Sequence, residues 1–171
     1  RDRFPVLYLQ DGQNLFDPAS AFAGTWQAER AFDRLARLGR PVVGVGIPNS
    51  GLRRIHEYAP FVDRRYGGGG GEAYLAWLVG TVQPLIERQF RVARGRESTG
   101  IAGASMGGLI SLYAFGRFPE RFGLVGGGEV RGEAAFVAHV GVVAGVVELA
   151  AQRVEDLGAH AQGVCKAIRL H

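Results

Sequence analysis

The segment Gly103-Ala104-Ser105-Met106-Gly107 fits the pattern G-x-S-x-G, in which a serine occupies a tight turn between a strand and a helix. Apolar residues lie on both sides, at 100–102 before the turn and from Leu109 onward after it. Such a turn presents the serine hydroxyl at the N-terminus of a helix, whose dipole stabilises developing negative charge. The pattern therefore predicts nucleophilic acyl transfer at Ser105 through a covalent intermediate.

The neighbours of Ser105 are small, as this turn requires, because larger side chains would collide with the adjoining strand and helix. The space is supplied by Gly103, Ala104, Gly107 and Gly108. The backbone N–H of Met106 is the predicted oxyanion-hole donor. A glycine-rich strand-to-helix turn without chemistry is the alternative. Phosphate-binding loops are not indicated, since the turn lacks G-x-G-x-x-G and no Gly-Lys-Ser/Thr follows the glycine run 67–71.

The elements around this turn are predicted to alternate between strands and helices. Apolar runs at 4–10, 41–47, 98–102 and 122–125 indicate buried strands. Helical spacing indicates helices at 25–38, capped by Thr25, at 72–90, kinked or divided by Pro84, and at 106–115. Residues 50–71 are predicted to form a long loop, and 134–157 one or two helices. Continuous apolar strands between helices predict a parallel sheet covered on both faces.

The composition restricts the classes of function. The 171 residues, 47% of them hydrophobic, suit a single domain spanning 1–171. No apolar run is long enough to span a membrane, so no membrane partner is expected. The net charge of +4 comes from dispersed arginines, which does not favour nucleic-acid binding. Cys165 is the single cysteine, which fits a cytoplasmic protein. No cofactor or metal site is predicted, because no ligand-type cluster has suitable spacing.

Four stretches, at 6–17, 42–58, 68–84 and 100–122, resemble in sequence and order an esterase family of α/β-hydrolases. That family includes enterochelin esterases, feruloyl esterases and S-formylglutathione hydrolases, with mycolyltransferases as distant relatives. The first stretch reads VLYLQDGQNLFD and the last GIAGASMGGLISLYAFGRFPERF. The resemblance covers roughly 4–125. It implies an α/β fold, a three-layer α/β-hydrolase sandwich around a mostly parallel sheet.

The resemblance also implies roles by position. Ser105 matches the nucleophile and Met106 the oxyanion donor that follows it. The backbone N–H of Gln13 matches the second donor, with Asp11 shaping its turn; an ordinary Asp-Gly turn is the alternative. Trp26 and Tyr58 match aromatic positions near the active-site loops, where packing roles are equally expected.

The sequence departs from this family at both ends. The family has further strands before the equivalent of Phe4 and a longer tail carrying the acid and the histidine, so the fold is expected to be incomplete, with 4–125 family-like and 126–171 divergent. A frameshift or a divergent gene end would explain such a tail. His139, His160 and His171 follow Ser105, but none is assigned as the base. Missing strands would expose sheet edges, so marginal stability or association is expected.

The predicted function is a serine esterase that acts on a small-molecule ester through an acyl-enzyme and is impaired by the missing acid and histidine. A catalytically inactive esterase-like binding protein or fragment is one alternative, and an acyltransferase that excludes water is another. The identity of the ester and the oligomeric state are left open by the sequence.

Overall fold

The structure of the protein is a computed structural model, which describes residues 2–21, 24–128 and 167–169. Seven strands lie in these residues: β1 Val6–Gln10, β2 Val43–Ile47, β3 Val62–Asp63, β4 Gly67–Gly68, β5 Thr99–Ala104, β6 Leu124–Gly128 and β7 Ala167–Arg169. Five of them form a parallel sheet in the order β6-β5-β1-β2-β7, while β3 and β4 form a separate antiparallel hairpin. The predicted parallel sheet is confirmed, although the sequence did not predict β7.

Five α-helices accompany the strands in the described residues: α1 Ala28–Arg37, α2 Arg54–Tyr58, α3 Gly71–Trp77, α4 Gln83–Gln89 and α5 Met106–Arg117. A π-helical segment, Leu78–Val82, joins α3 to α4. Pro84 lies in the first turn of α4 and cannot donate a backbone hydrogen bond into the preceding turn. The helix predicted at 72–90, kinked or divided by Pro84, is present as α3 and α4 with the π segment between them.

Alternate residues of β1 point to opposite faces of the sheet, and each face is covered. Leu7 and Leu9 pack with the buried face of α1 in one hydrophobic cluster. Tyr8 belongs to a second cluster, which contains Leu75 of α3 and Ile110 of α5. The sheet is thus the middle of three layers, because hydrophobic side chains leave it in both directions.

The order of the strands defines where a site can form. From β1 the chain passes through α1 to β2 on one side, whereas from β5 it passes through α5 to β6 on the other side. The crevice between neighbouring strands whose connections diverge in this way is the usual ligand site of a parallel sheet. Since β1 and β5 pair in parallel, Asp11 and Ser105, which follow their carboxyl ends, lie at the same edge.

Two local predictions are wrong. Residues 50–71 are not an open loop: a 3₁₀ turn at Gly51–Arg53, α2 and the β3–β4 hairpin occupy them. The hairpin turns at residues 64–66, and Gly67 and Gly68 of β4 have φ values of 77° and 104°, which favour glycine. Thr25 is not the N-cap of α1, which begins at Ala28 after Gln27. The Thr25 hydroxyl instead accepts the Gln27 N–H at 3.2 Å.

The predicted helical region 134–157, Cys165 and the three histidines after Ser105 lie outside the described residues. Within the described residues, no helix has the length and hydropathy to cross a membrane.

Candidate active site

Ser105 sits in the turn between β5 and α5 with its backbone at φ 52° and ψ −120°. This region is disfavoured for any residue with a Cβ, so the surrounding structure must hold the serine there. Ser105 occupies the N-cap position of α5, yet its hydroxyl makes no capping hydrogen bond, and the residue is exposed. The hydroxyl is therefore presented to solvent at the crevice between β1 and β5, as a nucleophile elbow requires.

Glycines make this turn possible by close backbone approach. A Cβ on Gly103 would lie 2.6 Å from the carbonyl carbon of Gly107 and 2.8 Å from the Cβ of Gln10. A Cβ on Gly127 of β6 would lie 3.2 Å from the Cα of Gly108. The first turn of α5 is thus packed directly against the ends of β5, β1 and β6, with no room for side chains at the contacts.

The first turn of α5 offers free backbone donors beside Ser105. The first hydrogen bond of the helix runs from the Leu109 N–H to the Ser105 carbonyl, at 3.0 Å. The N–H of Met106 precedes that bond and has no acceptor within the helix. The positive end of the helix dipole adds to the field at this point. An anionic oxygen next to Ser105 would therefore find a donor in the Met106 N–H.

The turn after β1 is also held tightly. Asp11 adopts a left-handed conformation, with φ 55° and ψ 47°. The Asn14 N–H donates to the Asp11 carbonyl at 2.9 Å, which makes a short 3₁₀ turn. The Gln13 N–H precedes this bond and, like that of Met106, has no acceptor within its own turn. A Cβ on Gly12 would lie 2.6 Å from the backbone of Gly46, so the turn rests on β2.

The Asp11 carboxylate is almost completely buried and fully hydrogen-bonded. Arg54 of α2 donates from Nε to Oδ1 and from Nη2 to Oδ2, both at 2.8 Å, and Asn49 donates from Nδ2 to Oδ1 at 2.6 Å. The hydrogen bond to Asp11 raises the pKa of the Arg54 guanidinium above its already high value. The backbone N–H of Asp11 donates to the Tyr58 hydroxyl at 3.0 Å. Every polar group of Asp11 is therefore engaged.

A second buried polar contact lies beneath the serine turn. The Tyr74 hydroxyl donates to Oε1 of Gln10, the last residue of β1, and both side chains are buried. Burial raises the pKa of Tyr74 and of Tyr58 well above the ordinary tyrosine range, so both hydroxyls stay protonated. The Gln10 Nε2 is buried without a partner among the described residues. The hydroxyls of Tyr58 and Tyr74 therefore connect the end of β1 to α2 and α3.

The two aromatic residues matched by resemblance lie apart. Trp26 is 9% exposed and belongs to the hydrophobic cluster on the α1 face of the sheet. Tyr58 is 0% exposed and lies in the cluster on the opposite face, against the Tyr74 ring at 5.4 Å between ring centroids. The structure thus brings Tyr58 to Asp11 and places Trp26 in the core on the other side.

A surface cleft of about 350 Å³ lies beside α2. It is lined by Pro48, Ser50, Arg53, His56, Glu57, Gly70, Ala73, Tyr74 and Trp77. Three of these have the residue types of a catalytic triad, but their bonding differs. The Ser50 hydroxyl donates to Glu57, while His56 Nδ1 lies 3.0 Å from the Gly68 carbonyl oxygen. A triad needs the imidazole between hydroxyl and carboxylate, so these contacts do not form one.

Sequence reasoning missed the roles of Gln10, Asn49, Arg54 and Tyr74. The available signals were a polar amide at the end of the apolar run VLYLQ and an arginine four residues before Tyr58. Neither signal identifies a partner, because the partners lie 38–64 residues away in the chain. No group of three or more His, Cys, Asp and Glu side chains in the described residues could hold a metal ion.

Comparison with known proteins places the chain in a family. The model of the Esterase family, described as "Putative esterase", matches residues 1–127. Uncharacterized protein YbbA of Bacillus subtilis (strain 168) is 34% identical over 129 residues, which are 72% of this chain and 48% of that protein. The chain therefore spans about half the length of this curated relative.

Solved structures with related folds include three from different organisms. The BES protein from Bacillus cereus is 17% identical, with a TM-score of 0.54 over 98% of this chain and 74% of that one. The enterobactin esterase FES from Shigella flexneri is 25% identical, with a TM-score of 0.52 over 70% and 28%. A ferulic acid esterase from Anaeromyces mucronatus is 19% identical, with a TM-score of 0.51 over 74% and 46%. With the family match over most of its length and the serine turn at the edge of a parallel sheet, this chain belongs to the Esterase family of α/β proteins.

Proposed function

We propose that the protein is a serine carboxylester hydrolase that acts through an acyl-enzyme on Ser105. The observation that carries this proposal is the backbone of Ser105, held at φ 52° with the hydroxyl exposed and unused as a helix cap. A serine at an N-cap position ordinarily hydrogen-bonds its own helix. Strain of this kind is found mainly at functional sites, where it aims a reactive group.

The chemistry would proceed in two steps. The Ser105 Oγ attacks the ester carbonyl carbon and gives up its proton, which passes to the departing alcohol; water then attacks the acyl-enzyme, releases the acid and returns a proton to Oγ. Negative charge develops on the carbonyl oxygen in both steps. The N–H groups of Met106 and Gln13 are the proposed donors to that oxygen, since both begin turns that leave them without an internal acceptor. Each such donor typically contributes about 10²–10³ to the rate.

The proposed substrate is a small-molecule ester. Support comes from the family match over residues 1–127 and from the likeness to a protein named as an enterobactin esterase. Ser105 is exposed where β1 and β5 end side by side, so a small ester could reach its hydroxyl.

The proton acceptor decides how fast the reaction can be. No histidine follows Ser105 within the described residues; His139, His160 and His171 lie outside them. Loss of the base from a serine triad typically lowers turnover by about 10⁴–10⁶, while the oxyanion hole and binding retain about 10³ over water. The measured rate therefore distinguishes an enzyme with a working base from an esterase fold that has lost it.

The test is hydrolysis of p-nitrophenyl acetate together with labelling by a fluorophosphonate probe. Ser105→Ala is compared with Ser50→Ala, which removes another exposed serine hydroxyl, one bonded to Glu57. We expect wild type and Ser50→Ala to hydrolyse the ester and take up one label, and Ser105→Ala to do neither. Wild-type activity that survives Ser105→Ala, or an absence of both activity and labelling in the wild type, contradicts the proposal and favours a binding function.

A further inference from the structure

We infer that Arg54 is a positioning residue for catalysis, which orients the Gln13 N–H by clamping the carboxylate of Asp11. This inference rests on the proposed role of Gln13 as an oxyanion donor. It assigns a function to a side chain on α2 that would not touch the ester itself.

The ion pair between Arg54 and Asp11 has the geometry that fixes the orientation of a carboxylate most strongly. Two parallel hydrogen bonds, Nε to Oδ1 and Nη2 to Oδ2, each 2.8 Å long, join Arg54 to Asp11. The Asp11 side chain is 3% exposed and that of Arg54 is 28% exposed, so the pair is shielded from water on the Asp11 side. A bidentate guanidinium–carboxylate pair fixes the plane of the carboxylate, which a lysine ammonium cannot do. The Arg54 guanidinium also lies 5.1 Å from the centroid of the Tyr58 ring.

The position of Asp11 determines that of Gln13 through a closed set of contacts. Asp11 is left-handed, a conformation that costs energy for a residue with a side chain. Its carbonyl accepts the Asn14 N–H, so the peptide groups on either side of Gln13 belong to the same turn. Asn49 links the two residues directly, since its Nδ2 donates to the Asp11 carboxylate and its backbone N–H donates to the Gln13 Oε1 at 3.2 Å.

The same carboxylate also contacts the helix of the nucleophile. A Cβ placed on Gly107 would lie 3.1 Å from the Asp11 Oδ2, so the carboxylate packs against the first turn of α5. Arg54 therefore holds a carboxylate that belongs to the turn of Gln13 and lies against Gly107, the residue that follows Met106. A displacement of about 1 Å at such a site typically costs about 10²-fold in rate.

The test uses the full chain and measures the concentration dependence of labelling by a fluorophosphonate, whose phosphoryl oxygen needs the same donors. Arg54→Ala and Arg54→Lys are compared with Arg117→Ala, which removes an arginine–glutamate pair of similar length, 2.9 Å, on the surface. We expect the maximal labelling rate to fall about 10–100-fold in Arg54→Ala with little change in the half-saturating concentration. Arg54→Lys keeps the positive charge but cannot make the two parallel hydrogen bonds, so it should recover only part of that loss. Arg117→Ala should match the wild type.

Equal maximal rates in Arg54→Ala and the wild type, or full recovery in Arg54→Lys, would overturn the inference. If Arg54→Ala does not fold, the Arg54→Lys measurement decides it. If the wild-type chain is not labelled at all, the proposed esterase function is wrong. Whether Arg54 positions Gln13 is then decided by the backbone amide resonance of Gln13. A shift of that resonance in Arg54→Lys but not in Arg117→Ala supports the positioning role, and an unchanged resonance refutes it.

Discussion

Gly103 at the end of β5 and Gly107 in the first turn of α5 lie in direct backbone contact. A Cβ on Gly103 would be 2.6 Å from the Gly107 carbonyl carbon and 2.7 Å from its oxygen. The three residues between them include Ser105 at the apex of the turn. The exposed hydroxyl is thus maintained by two glycines that have to touch, and this contact is sensitive to a single methyl group.

Gly103→Ala is therefore expected to destabilise the protein by about 1–3 kcal/mol, the usual cost of forcing an extra methyl into a packed region. Backbone atoms form the obstacle, so a change of side-chain rotamer cannot relieve it. The measurement is the free energy of unfolding from urea denaturation, together with fluorophosphonate labelling, which should fall as the turn is displaced.

The matched control is Gly116→Ala in the same helix, where no atom lies within 4 Å of the added Cβ. Alanine is a better helix former than glycine, so this variant should be more stable than the wild type by about 0.5–1 kcal/mol. Equal effects of the two substitutions would mean that the contact at Gly103 is not as close as described.

The two faces of α5 should differ sharply in their contribution to stability. Ile110 is 0% exposed and packs against the sheet, whereas Leu112 is 61% exposed. Ile110→Ala is expected to lower the free energy of unfolding by about 2–4 kcal/mol, because it leaves a cavity. Leu112→Ala should change it by about 0.5 kcal/mol or less, as surface substitutions do. Thermal and urea unfolding of both variants measure this, and comparable losses would show that Leu112 is covered in solution.

The parallel sheet and the serine turn could be predicted from the sequence because their signals are local. Apolar runs identify buried strands, and the spacing of glycines around Ser105 identifies the turn. The division of the helix near Pro84 follows equally from the chemistry of one residue, since proline has no N–H to donate.

The parts that could not be predicted depend on contacts between distant residues. Residues 50–71 are polar and glycine-rich, which is typical of loops, yet α2 forms there, where Arg54 contacts Asp11 and Tyr58 packs against Tyr74. Those contacts join segments that the sequence does not pair. Thr25 was the expected cap of α1 by residue type, but its hydroxyl bonds Gln27 and the helix begins three residues later.

Buried tyrosines should make the protein less stable at alkaline pH. Burial is the main cause that raises the pKa of Tyr58 and of Tyr74 above the value of about 10 expected in the unfolded chain. The unfolded chain loses these protons first, so the stabilisation is complete below about pH 10 and declines as the pH rises further. The free energy of unfolding should fall with a slope that is about half of 1.4 kcal/mol per pH unit for each such tyrosine at pH 10 and approaches that value at higher pH.

Urea unfolding at several pH values between about 9 and 11 tests this dependence. Tyr74→Phe should be less stable at pH 9, because Gln10 loses its hydroxyl partner, but its decline with pH should be less steep than in the wild type. Tyr66→Phe, at an exposed position, should follow the wild-type curve. Identical slopes in the wild type and in Tyr74→Phe would mean that the Tyr74 hydroxyl reaches solvent.

Two substitutions of the proposed nucleophile should separate its strain from its chemistry. With φ 52° and ψ −120°, Ser105 occupies a conformation that glycine adopts readily and residues with a Cβ do not. Ser105→Gly removes the strain, of order 1–3 kcal/mol, at an entropic cost of about 0.5–1 kcal/mol. The net expectation is a gain of about 1 kcal/mol in the free energy of unfolding, which for a chain of this size raises Tm by about 2–4 °C.

Ser105→Ala is the matched control, because it retains the Cβ and hence the strain while removing the same hydroxyl. Both variants should lose fluorophosphonate labelling, but only Ser105→Gly should gain stability. Calorimetry and urea denaturation of the two variants beside the wild type make the comparison. If alanine stabilised the protein as much as glycine, the gain would come from removing the hydroxyl, and the backbone of Ser105 would not be strained. A gain confined to glycine would mean that the turn holds the serine against its own preference, as a nucleophile aimed at substrate requires.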